Sequence, residues 1–229
     1  RKGSPTVAIK VLREHETMRR AGTKEISFLR LIEAENDVGC RHIVKYIRSF
    51  YYRKHLCIVF EPMKMNLRQV LYRFGRNIGI NLDGVRRYSH HVLLALSCLD
   101  RLGIVHADVK LDNILVSEDL EVAKLCDFGC AFQEGQTIRE DTTYLVSRFH
   151  RAPEIILGLS GEFLTKSIDL WALATCIFEL YTGSVLFPGA TNNEMLDIIM
   201  RVRGRIPDAL VKQHIANCAP GAPHFDPTS

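Results

Sequence analysis

The sequence predicts an α+β protein, with a small β-sheet lobe preceding a larger, mainly helical lobe. Three observations lead there. Strand-like segments cluster before Pro62, and helical periods dominate after Asn66. The chain has 229 residues, enough for one large domain or two lobes around a shared site. Hydrophobic residues make up 47% and charged residues 24%, which excludes disorder, collagen and coiled coil as global descriptions.

The elements follow in order. Residues 7–12 form a short apolar run with an embedded lysine and read as a strand. Residues 14–31 are charged and then apolar at helical spacing, with Ile26, Leu29 and Ile32 on one face. Residues 43–50 and 55–60 read as two strands joined by a hairpin at 51–54. Helical period returns at 67–74 and again at 82–102, where Val85, Val92, Leu93, Leu96 and Leu99 mark the buried face. Short strands are expected at 114–116 and 123–126, and a loop at 133–148. Residues 168–181 are apolar almost all round, the pattern of a buried helix. A last helix is expected at 193–203, and the tail from Asn217 is rich in Pro and Gly and reads as irregular.

Composition narrows the function classes. Thirty basic and 26 acidic residues give a net charge of +4, which suits an anionic ligand without demanding nucleic acid. Residues 45–54 do interleave Lys, Arg and aromatic residues, as single-strand binders can, but the alternation reads as a hairpin of the small sheet. The most apolar stretch, 170–180, is interrupted by Glu179 and is shorter than the ~18 residues of a membrane span. No signal peptide is expected, because the first ten residues lack an apolar segment. Seven cysteines without C-x-x-C spacing read as reduced, mostly buried thiols of an intracellular protein. Cys126 and Cys130, four apart, are a weak metal pair, and Cys126 reads as packing.

Chemistry concentrates in four ordered segments. These are Val7-Ala8-Ile9-Lys10, His106-Ala107-Asp108-Val109-Lys110-Leu111-Asp112-Asn113, Asp127-Phe128-Gly129 and Ala152-Pro153-Glu154. Together, in this order, they resemble the signatures of the protein kinases. Moving a phosphoryl group is mostly positioning and charge neutralisation, and the residue types match that need. Lys10 is a cation for anionic phosphates, anchored by Glu25 on the next helix, with Glu14, Glu16 and Glu33 as competitors for that role. Asp127 and Asn113 offer the oxygen ligands that Mg2+ prefers. Asp108 would orient the acceptor hydroxyl and take its proton, and Lys110 would offset charge on the transferring phosphate. Asp112 reads as structural and His106 as a packed core residue rather than a base.

The resemblance narrows further, to the CMGC group and its DYRK-like branch. Residues 144–154, Tyr-Leu-Val-Ser-Arg-Phe-His-Arg-Ala-Pro-Glu, carry that likeness. Residues 16–22, 55–62, 65–68, 125–129, 179–183 and 186–193 make the chain most similar to the family of pre-mRNA-splicing Prp-four kinases. The resemblance implies a bilobal protein-kinase fold, with residues 1–62 in the sheet lobe and 63–229 in the helical lobe. It implies ATP and Mg2+ as cofactors and protein serine or threonine hydroxyls as acceptors, spliceosome components among them. A nuclear location, a monomer, and no membrane or direct nucleic-acid binding complete that expectation. Phe60 would guard the back of the adenine pocket, Glu61 and Met63 would offer backbone hydrogen bonds, and Ala8 and Leu115 would sandwich the ring. Leu29, Tyr46, His106 and Phe128 would stack as a spine, and Asp169 would brace the catalytic loop. Tyr144 would be an autophosphorylated tyrosine, received by Arg148 and Arg151.

Several departures from the family pattern stand out. Ala107 replaces the arginine of H-R-D, which commonly meets an activation-loop phosphate. No Gly-rich loop precedes Lys10, and the final helices of the large lobe do not follow residue 203, so Glu154 is expected without its usual arginine. His150 replaces the tyrosine usual in this loop. Ala107 and the missing loop favour an alternative reading, a pseudokinase or scaffold. Lys10, Asp108, Asn113 and Asp127 argue against it.

Overall fold

A computed structural model describes residues 6–35, 37–76, 78–135, 147–159 and 164–217. The sheet at the start has three antiparallel strands: β1 (Ala8–Val11), β2 (Tyr46–Tyr52) and β3 (His55–Phe60), in the order β1-β3-β2. β3 is central, and its run Leu56–Phe60 is buried throughout, as a strand flanked on both sides should be. Register puts Lys10 opposite Ile58 and Ala8 opposite Phe60. Helix α1 (Glu16–Ala34) lays Ile26, Phe28, Leu29 and Ile32 into the core. Gly22 permits the close approach: a Cβ there would lie 2.1 Å from Leu12 Cδ1.

The expected strand at 43–50 begins later than its apolar pattern suggests. A 3-10 turn, Gly39–His42, comes first, and Ile43 instead forms an isolated bridge to Leu125. That turn packs on α3 (Leu82–Arg101), and there Cys40 and Cys98 form a disulfide. The expectation of reduced thiols throughout is thus corrected. The two cysteines are 58 residues apart, and only the docking of turn on helix brings them together. Cys57, Cys126 and Cys176 remain thiols. Burial pushes Cys126 up to about 12, the inert thiol that a packing role requires.

β4 (Met65–Asn66) leads into α2 (Leu67–Val70), which opens on a capping box between Asn66 and Gln69. Such a cap contributes about 1 kcal/mol. The expected helix at 67–74 then widens into a π turn, Leu71–Gly75. Asn81 caps α3, accepting from Gly84 N at 2.7 Å. β6 (Ile114–Val116) pairs with β4 and with β7 (Ala123–Leu125). Two further strands, β5 (Ile104–Val105) and β8 (Phe132–Gln133), pair with each other. Helices α4 (Pro153–Ile156), α5 (Ser167–Thr182), α6 (Asn192–Arg203) and α7 (Asp208–Asn217) complete the described chain. β5, β8, α4 and α7 were not legible as elements. Most are too short to show a period, and the apolar residues of α7 are too few to mark a face. One apolar core runs from α1 and β3 through α3 to α5. No described helix is long and apolar enough to cross a membrane.

Candidate active site

A cleft of about 370 Å³ opens between the first sheet and the β4–β6–β7 sheet. Ala8, Lys10, Glu25, Phe60, Glu61, Met63, Asn113, Leu115 and Asp127 all line it, so the residues singled out for nucleotide and metal meet in one place. The size is that of a small-ligand site. Lys10 Nζ donates to Glu25 Oε1 at 3.0 Å, to Glu25 Oε2 at 2.8 Å and to Asp127 Oδ1 at 2.8 Å. The competing acids point elsewhere: Glu14 pairs with Lys54, and Glu16 with Arg19 and Arg20. Burial alone would push the Lys10 ammonium down, but the two carboxylates together hold it above its usual value. Burial raises the Glu25 carboxyl despite Lys10. For Asp127 burial acts the same way and Lys10 outweighs it, so its carboxyl sits below the usual range.

Glu61 is fixed by its side chain, which accepts from Lys124 Nζ at 2.6 Å and from Lys45 N at 2.7 Å. Its own N–H goes to Lys45 O, so its carbonyl is the backbone group it can offer the cleft. Phe60 closes the inner end of β3, and Leu115 lies on β6 across from Ala8 in the lining.

A second cluster joins the first through Asn113. Its Nδ2 donates to Asp108 O and Asp108 Oδ2, both at 2.9 Å, which leaves Oδ1 as the accepting atom of the amide. Asp108 Oδ2 also accepts from Lys110 Nζ at 2.6 Å. Asp108 Oδ1 accepts from Ser147 Oγ at 3.1 Å, and Ser147 Oγ accepts from Lys110 Nζ at 3.1 Å. Ser147 was part of a quoted motif but carried no role, because nothing in a sequence ties a serine 39 residues downstream to Asp108.

The supports are buried. His106 Nδ1 accepts from Asp108 N at 3.2 Å, so Nε2 is the protonated nitrogen that faces Cys126 O at 3.0 Å. With both nitrogens engaged, His106 has none left for base chemistry. Its ring meets Phe128 edge-on at 4.9 Å, and Leu29 and Tyr46 are buried in the same core. Asp169 on α5 accepts from His106 N at 2.7 Å and Ala107 N at 2.8 Å. Ala107 turns to φ 63° to present that N–H, a conformation unfavourable for any residue with a Cβ. Burial raises both Asp169 and Glu154, and Glu154 accepts from Ser167 Oγ at 3.5 Å.

Beyond Ser147, Arg148 Nη1 donates to Ala190 O at 2.6 Å. Arg151 is buried and donates from Nη1 to Asn192 Oδ1 at 2.9 Å. Tyr144 lies outside the described residues. Sequence reasoning also missed a buried seam nearby, where Arg68 bonds Glu179 and Asp112 and His150 bonds Thr175.

As a donor set, Asp127 carboxylate and Asn113 carbonyl oxygen on one wall suit a hard divalent cation that keeps other oxygen ligands. No cluster of three or more His, Cys, Asp or Glu that could hold a metal occurs among the described residues.

The model of the Protein kinase domain matches residues 1–219. The serine/threonine-protein kinase prp4 of Schizosaccharomyces pombe is 42% identical over 93% of this chain and 44% of that protein. The serine/threonine-protein kinase prpf4B of Dictyostelium discoideum is also 42% identical, over 93% of this chain and 26% of that protein. The dual specificity tyrosine-phosphorylation-regulated kinase 2 of Drosophila melanogaster is 34% identical over 90% of this chain and 28% of that protein. The chain spans less than half the length of each of these relatives.

Proposed function

The chain belongs to the protein kinase domain family, and from that premise we propose that it transfers the γ-phosphoryl group of ATP to serine or threonine hydroxyls of proteins. One observation carries the reading. Lys10 is held by Glu25 and Asp127 in a cleft whose Asn113 reaches directly into the Asp108–Lys110–Ser147 cluster. That connected network supports the reading, because the reaction needs a cation for the phosphates, oxygen ligands for a metal, a base and a second cation close together.

In this reading Ala8 and Leu115 pack on the two faces of the adenine, and the Glu61 carbonyl and Met63 backbone meet its edge. Lys10 draws in the phosphates. Asp127 and Asn113 Oδ1 would hold Mg2+, which would supply positive charge to offset that building on the phosphate oxygens. Asp108 receives the acceptor hydroxyl on its carboxylate, which Ser147 braces at Oδ1, and takes its proton. Lys110 moves from Asp108 toward the transferred phosphate and offsets its charge.

The likeness to the prp4 and prpf4B kinases supports the finer reading of a nuclear kinase whose substrates are splicing proteins. Autophosphorylation of Tyr144 rests on the sequence of residues 144–154 alone. The lobe boundary falls at the Phe60–Met63 passage in the same reading. The pseudokinase alternative draws on Ala107, whose side chain cannot pair with a phosphate.

Calorimetric titration of ATP with and without Mg2+ tests the site, with Asp127→Asn as control. Magnesium-dependent binding lost in the control is expected. Transfer of labelled phosphate to protein, abolished by Asp108→Asn in the full-length protein, tests the activity. Binding without transfer would favour the scaffold reading.

A further inference from the structure

His150 is buried at the end of the 3-10 turn Arg148–His150, three residues after Ser147. Its Nδ1 lies 2.7 Å from Thr175 Oγ1. Thr175 has one hydroxyl hydrogen, and Oγ1 gives it to Ala172 O at 2.7 Å. Nδ1 must therefore donate, and in a neutral ring Nε2 is left as a bare lone pair. Nε2 faces Glu179 Oε2 at 3.8 Å, and that oxygen accepts no hydrogen bond among the described residues. Two acceptors thus look at each other across a buried gap that one proton would bridge.

The surroundings oppose that proton. Glu179 and Cys176 approach the ring from α5, and Cys176 Sγ lies 3.9 Å from Nδ1. Glu179 Oε1 is already bonded to the Arg68 guanidinium of α2, whose Nε also meets Asp112 at 3.3 Å. Asp108 and Asp112 are the remaining acids near the ring. A charged ring here would be desolvated, and its nearest counter-ion is already neutralised by Arg68. Burial accordingly holds the imidazole below its usual value, with Glu179 opposing.

We propose that His150 is a positioning residue: its neutral, Nδ1-protonated ring seats the Ser147 loop on α5, and gain of a proton at Nε2 unseats that loop from Asp108 and Lys110. The inference rests on the kinase reading, because the loop it holds is the one that touches the proposed base. A loop that lifts away exposes the ring to water, where it binds a proton more readily, so acid favours the lifted state.

Two measurements test this. Long-range proton–nitrogen NMR on the histidine-labelled chain should show His150 as the Nδ1–H tautomer at neutral pH, titrating with a midpoint below about 6.5. Phosphorylation of casein by the full-length protein should lose kcat/KM about tenfold per pH unit below that midpoint, while KM for ATP holds. His150→Asn, whose amide can still donate to Thr175 but cannot gain a proton, should remove that acid limb. Thr175→Val should lower casein turnover already at neutral pH. An Nε2–H tautomer, or an acid limb that survives in His150→Asn, would overturn the proposal. If no variant phosphorylates casein, the kinase reading fails, and the NMR arm still decides whether the seam holds a neutral ring.

Discussion

Glu25 and Glu179 are both buried carboxylates that meet a cation from another element, yet they are closed to different degrees. Glu25 has both oxygens on the Lys10 ammonium, and Asp127 adds a third contact to that cation. Glu179 gives one oxygen to Arg68 and turns the other to a ring nitrogen without a hydrogen bond. The cleft pair is saturated but accessible, since the Lys10 side chain is 33% exposed and can be approached by an anion. The seam cation is no less exposed, with the Arg68 side chain at 39%, but the Glu179 carboxylate is buried and unsaturated. A saturated pair at an open site can exchange partners with a ligand, whereas a buried carboxylate oxygen that faces only a ring nitrogen can respond to a proton.

The largest expected effect breaks the cleft pair. Lys10→Met should lower phosphoryl transfer about 10²–10³-fold, the loss typical of one group that stabilises charge in the transition state. Initial rates at saturating ATP measure it, and a loss under tenfold would remove Lys10 from the chemistry. Next in size, Glu179→Ala should cost about 3 kcal/mol in urea unfolding, because it opens a hole beside the buried His150 and leaves Arg68 only Asp112. Glu25→Ala should cost less, about 1–2 kcal/mol, because Lys10 keeps Asp127 and some water. The reverse order would break the comparison.

The pH dependence of unfolding sharpens it. Asp127 is held below its usual value of 3.8, so its contribution is present above that pH and is lost as pH falls through the lower folded value. Lys10 is held above 10.5, so its contribution is present below that pH and is lost as pH rises through the raised value. Neither titrates near neutrality. His150 is held below 6.5, so the unfolded chain binds its proton first and stability declines as pH falls below 6.5. The slope should stay under about 1.4 kcal/mol per unit. Unfolding at pH 5 to 8 should show a shallower decline in His150→Asn than in the parent, the remainder coming from His91, which burial pushes down to about 4. The smallest effect concerns a third buried acid. Asp169 is closed by backbone N–H groups, and Ala107 adopts φ 63° to supply one of them. Ala107→Gly should stabilise by less than about 1 kcal/mol, as relief of the left-handed strain is offset by added freedom of the unfolded chain. A destabilised Ala107→Gly would show that the methyl group packs more than it strains.

The cleft was legible and the seam was not, for a physical reason. Lys10, Asp108, Asn113 and Asp127 sit in short segments whose residue types declare their chemistry, and nine lining residues could be named before any geometry. The helix α3 was equally plain from its period, although Leu93 proves exposed, and α5 and the buried β3 were plain from their continuous apolar runs. Arg68 and Glu179 are 111 residues apart, and neither stands in a segment that demands a partner. Glu179 registered only as a charge interrupting an apolar helix. His150 registered as an unusual residue, but its meaning depends on which hydrogen Thr175 has already given away.

The Cys40–Cys98 bond also turns the middle of the chain into a covalent ring. Inside that ring lie β2, β3, β4 and α2, and with them the Phe60–Met63 passage from the first sheet to the rest of the protein. One proteolytic cut anywhere between the two cysteines therefore leaves a single molecule, with both halves of the cleft still attached. Only a reductant would let the pieces part, so a nicked chain should run as one band on a gel without thiol and as two with it.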